Sequence, residues 1–136
     1  MACPFFYPIE NRTDDFDPRS AMLPLGRRWD GECRATAPGR RPDPDTVNGV
    51  CCLGYARGRC VNFPENPESA DAVRFHITRD GGTTIELYCV LERDHHPFAH
   101  GPLEYSPALR RFGEMPFGPI VARQAEAYLE SYRSRK

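Results

Sequence analysis

Five of the six cysteines and nine of the fourteen prolines fall within residues 1–70, a stretch with almost no apolar periodicity. Pro38, Gly39, Pro42, Pro44, Pro64 and Pro67 interrupt it every few residues. Ordering backbone costs about 1–2 kcal/mol per residue, and a segment of this composition buries too little apolar surface to offset that alone. Mean hydropathy over the chain is −0.61, so the core is modest throughout. Small polar domains of this kind are held by disulfides or by metal.

The choice between those two turns on compartment. Residues 1–20 lack the basic start, apolar centre and small-residue cleavage site of a secretory signal, and no apolar run approaches the ~20 residues of a membrane span. A cytoplasmic location is therefore expected, and disulfides do not persist in a reducing compartment. Metal becomes the expected staple.

Charge excludes other classes. The formal net charge is −1 with 27% charged residues, so no overall field draws nucleic acid or an anionic membrane. There is no glycine-rich phosphate loop, and Lys136 is the single lysine against seventeen arginines. That ratio reflects codon usage as readily as selection for planar anion contacts. Exposed arginines are candidates for docking a protein redox partner.

Cys89 falls on the inward face of an expected strand, with Ile85, Leu87 and Leu91, and reads as a small core hydrophobe. Cys51 and Cys52 are adjacent, and one metal centre seldom takes both. Cys3, Cys33, Cys51 (with Cys52 as its alternative) and Cys60 then form a four-thiolate set, the number that tetrahedral zinc or an iron–sulfur cluster requires. Zinc sites commonly draw paired ligands from one turn, two to four residues apart. Here 29, 17 and 8 residues separate the successive cysteines. Ligands arriving from separate loops suit a [4Fe–4S] cube, whose irons occupy separate corners. Cys3-Pro4 echoes the Cys-Pro step of bacterial ferredoxins, but the C-x₂-C-x₂-C run of that family is absent and no family is assigned.

The expectation is one [4Fe–4S] cluster serving electron transfer, redox sensing or a structural role, since four thiolates leave no iron open to substrate. A zinc-stapled protein–protein interaction module is the alternative; unliganded thiols and disulfides remain open. Gly54, Arg57, Gly58 and Arg59 precede Cys60 and would offset the negative charge of a cluster. Phe5, Phe6 and Tyr7 beside Cys3 read as an apolar cover, and Trp29 as cover, core or cation–π platform.

A second candidate lies further on. Glu92, Asp94, His95, His96, His100 and Glu104 crowd one expected loop, and His96 and His100 have the i, i+4 spacing of two ligands on a helical face. An enzyme built on this histidine loop is the third reading, with Cys89 a formal nucleophile for it. No catalytic signature accompanies it.

The fold expected is a small, loop-rich α+β domain spanning 1–136, with a cluster-binding half (1–70) and a scaffold half (71–136). A short helix is placed at 45–55 with Asp45 as its cap. A β-hairpin covers 71–93, turning at Asp80-Gly81-Gly82, with Val73, Phe75, Ile77, Ile85, Leu87, Cys89 and Leu91 inward. Residues 94–117 read as loop with a helical turn at 108–112. A helix follows Gly118, with Pro119 in its first turn and Val121, Ala125, Tyr128 and Tyr132 on its apolar face.

Overall fold

The computed structural model describes residues 2–11, 23–26, 29–35, 39–43, 46–47, 51, 60, 63–64 and 70–134. These form two antiparallel sheets and one helix, a mixed α+β architecture. The smaller sheet pairs β1 (Phe6–Asn11) with β2 (Trp29–Cys33). The larger has the order β3 (Ala72–Asp80), β4 (Ile85–Arg93), β5 (His96–Ser106), β6 (Arg111–Phe112). The helix, α1, runs Pro119–Ser134.

The β3–β4 hairpin follows its alternating pattern. Val73 faces Leu91, Phe75 faces Cys89 and Ile77 faces Leu87, all on the inner side. Gly82 takes φ +83° in the connection, a conformation that costs glycine nothing, and its N–H donates to Asp80 Oδ1.

The stretch 94–117 departs from expectation, being mostly strand. Arg93 pairs with His96, so Asp94-His95 is a two-residue hairpin turn, and both residues have positive φ (51° and 62°) as a type I′ turn demands. The Asp94 N–H donates to the Asp71 carboxylate, which holds that turn without the usual glycine. Pro97, Gly101 and Pro102 read as loop punctuation, yet β6 pairs only with Tyr105 and Ser106. Over the rest of β5 one edge has no strand partner among the described residues, and an edge is where a strand tolerates proline. Residues 107–110 form a single helical turn, closed by Arg110 N–H on Ser106 O, which ends at β6 two residues short of the bound expected.

Helix α1 is buried on two sides. On one, Tyr128 packs on Phe75 and the Tyr132 hydroxyl donates to Asp80. The other side meets the smaller sheet: Gln124 Nε2 donates to Cys3 O and Phe6 O, and the Trp29 indole N–H to Ser131 Oγ. Trp29 is thus a core residue, 1% exposed. Arg123 donates to Pro8 O and Ile9 O, which lie at the bulge where β1 slips register against β2. Glycine at 31 is obligatory in that pairing, since a Cβ there would lie 2.1 Å from Tyr7 O. One hydrophobic core runs from Ala2, Phe6 and Trp29 through Phe75, Leu87 and Leu103 to α1.

Candidate metal centre

Cys3, Cys33, Cys51 and Cys60 line a single cavity. Four local devices bring them there. The segment carrying Cys3 is pinned twice: Ala2 exchanges both backbone hydrogen bonds with Val73 on the edge of β3, and Cys3 N–H donates to Cys51 O at 2.9 Å. Cys33 ends β2 opposite Phe6, and its backbone also exchanges hydrogen bonds with Arg40. Thr46, Val47 and Cys51 have helical backbone, in keeping with the short helix expected at 45–55, and Asp43 Oδ1 accepts the Thr46 N–H while its carbonyl accepts that of Val47. Asp43 therefore caps this turn, the role expected of Asp45, which lies outside the described residues. Cys60 opens a turn closed by Phe63 N–H on its carbonyl.

The remaining walls are mainly apolar. Phe5, Phe6, Phe63, Ala35, Pro42 and Pro64 line the cavity, and Phe5 meets Phe63 edge-on at 5.4 Å between centroids. Of the expected aromatic cover, Phe5 and Phe6 are in place, whereas Tyr7 sits beneath the Arg34 guanidinium. Thr46 and Arg40 supply the polar lining.

The thiols feel burial and one another. Burial pushes Cys3 up to about 12 from an ordinary 9.0, opposed by a hydrogen bond from the Phe5 backbone and reinforced by Cys51, Cys33 and Cys60. Cys51 is likewise pushed up to about 12 by burial and by Cys33 and Cys60, with Arg40 acting in the opposite direction. Cys3 and Cys51 are therefore protonated at neutral pH. Among the described residues, no three His, Cys, Asp or Glu side chains converge as a single-ion site. The four cysteines border a common cavity of about 20 Å³.

Cys89 lies elsewhere, fully buried between Phe75 and Gly101 in the register of the larger sheet, and burial alone raises its pKa to about 12. Cys52, Gly54, Arg57, Gly58 and Arg59 fall outside the described residues. Arg40, Phe63 and Gln124 carried no signal in the sequence: each is a common residue in a loop or on a helix, and only the tertiary fold brings it to the cysteines.

The histidine group is dispersed. His95 is in the β4–β5 turn, and a bulge at Phe98 reverses the alternation of β5, so His96 and His100 lie on opposite faces of the sheet. Four strand residues also set them about 13 Å apart along the chain. The helical i, i+4 geometry is not formed, because the segment is extended. His100 stacks with Tyr88, whose hydroxyl is hydrogen-bonded to its Nδ1, and Tyr88 stacks in turn with His76.

Comparison of the chain with known protein families, curated proteins and solved structures finds no match.

Proposed function

We propose that this protein binds one [4Fe–4S] cluster through Cys3, Cys33, Cys51 and Cys60 and serves as a one-electron carrier or redox sensor, or uses the cluster as a structural staple, in the cytoplasm. The observation that carries the proposal is the convergence of four cysteines, spread over residues 3–60, on one cavity with aromatic and proline walls. The donor set fits: four soft thiols, with the Phe5 backbone N–H directed at Cys3, the kind of hydrogen bond that offsets charge on cluster sulfur. When bound, the cluster supplies reversible one-electron chemistry. The protein's residues deliver the thiolates, exclude water with Phe5, Phe6 and Phe63, and fix the Cys3 loop on α1 through Gln124.

With every ligand position taken by protein, electron exchange with a partner protein suits the site better than catalysis at iron. A four-thiolate site also contributes on the order of 10 kcal/mol to a fold that assembles around it, answering the ordering cost of the proline-rich half. Zinc takes the same donors and is the competing occupant, in which case the protein is a folded interaction module.

Serine substitution tests the ligand set. After anaerobic reconstitution with iron and sulfide, C3S, C33S, C51S and C60S each lose the visible absorption of the cluster, while C89S and C52S retain it. Loss in C52S with retention in C51S would move the fourth ligand. Retention in all four would refute the site.

A further inference from the structure

We infer that Arg40 sets the reduction potential of the cysteine centre, holding it above the value that four thiolates alone would impose; this rests on the iron–sulfur reading above. Arg40 is an exposed residue that borders the cysteine cavity. It forms no ion pair among the described residues, whereas its neighbours are neutralised: Arg34 by Glu32 at 2.7 Å and Arg41 by Glu10 at 2.6 Å. Its position is imposed by the main chain, because Cys33 and Arg40 exchange N–H···O bonds of 2.6 and 3.0 Å. The main chain of Arg40 is therefore anchored to that of a proposed ligand at the border of the cavity.

The sign follows from charge. Reduction by an external one-electron donor adds one negative charge to the site, and a nearby cation stabilises the reduced form more than the oxidised one. The carboxylate of Asp43, which caps the turn ahead of Cys51, acts in the opposite sense. Arg34 and Arg41, each beside its own carboxylate, contribute little field.

The test is redox titration of the anaerobically loaded full chain, comparing wild type with Arg40→Gln, Arg40→Lys and Asp43→Asn. The last variant keeps the cap on Thr46, since asparagine caps as well as aspartate. Arg40→Gln is expected to move the midpoint to more negative potential, Arg40→Lys to restore it towards wild type, and Asp43→Asn to move it positive, each shift shrinking as salt is raised. Cluster-loaded Arg40→Gln with an unmoved midpoint at low salt overturns the inference. Should that variant fail to hold iron, Arg40→Met decides, and an unmoved midpoint there overturns the inference equally. Wild-type protein that binds no iron overturns the iron–sulfur reading itself, so the two failures are distinguishable.

Discussion

Replacing Gln124 with leucine tests whether α1 holds the cysteine loop in place. Gln124 is fully buried, and its Nε2 donates to Cys3 O at 2.7 Å and Phe6 O at 2.8 Å. Leucine conserves the approximate volume, so the main effect is polar. Two hydrogen bonds at roughly 1 kcal/mol each are lost, and the carbonyls lose their donor, which costs about 1 kcal/mol more at Phe6 O. Cys3 O retains the Phe6 N–H at 3.1 Å, which limits its penalty. Gln124 Oε1 is buried with no hydrogen-bond partner, so removing it returns about 1 kcal/mol. The net loss is about 2 kcal/mol. With a urea m-value of about 2 kcal/mol/M, the unfolding midpoint of Gln124→Leu falls by about 1 M. Because the same bonds position Cys3, the loaded variant also releases its metal to a chelator faster than wild type. A midpoint within about 0.2 M of wild type, with unchanged release, would refute the reasoning.

Three further outcomes are expected. Gly31→Ala forces apart the backbones of β1 and β2, costing about 2 kcal/mol or more by thermal denaturation, while Gly113→Ala, with open space around its Cβ, serves as the near-neutral control. The double variant His96→Ala, His100→Ala keeps its full metal content by elemental analysis; loss of metal would return the histidines to the site. Cys3, Cys51 and Cys89 have folded pKa values raised from 9.0 to about 12, so their protonated forms are favoured in the fold. Their contribution to stability is complete below pH 9 and is lost as pH rises towards 12. Apo protein should therefore unfold in alkali over that window, followed by circular dichroism, and loaded protein should resist because Cys3 and Cys51 are already committed as thiolates.

The β3–β4 hairpin and α1 were legible because local chemistry and tertiary packing agree there. Val73 to Ile77 and Ile85 to Leu91 alternate as one buried face requires, and Pro119 opens the helix. Strand β5 was obscured because Pro97 and Pro102 announce a loop, and only an open sheet edge makes them harmless. The Asp94-His95 turn was hidden for a related reason: it reaches positive φ without glycine, held by Asp71 just ahead of β3. Helix α1 showed only its apolar side, since Gln124 and Ser131 read as solvent-facing until Cys3, Phe6 and Trp29 are placed against them. The four cysteines that meet at the cavity were selected by elimination, on count and adjacency. Arg40 was invisible, because its place depends on a backbone pairing with Cys33 seven residues earlier.

The most direct measurement is iron, acid-labile sulfide and zinc per chain in protein purified without oxygen, with the absorption spectrum of the same sample. The account predicts about four irons and four sulfides per chain, a brown protein absorbing broadly near ~400 nm, and no stoichiometric zinc. A colourless protein with one zinc would contradict the redox function while preserving the four-thiolate centre. A colourless protein with neither metal would contradict the centre itself.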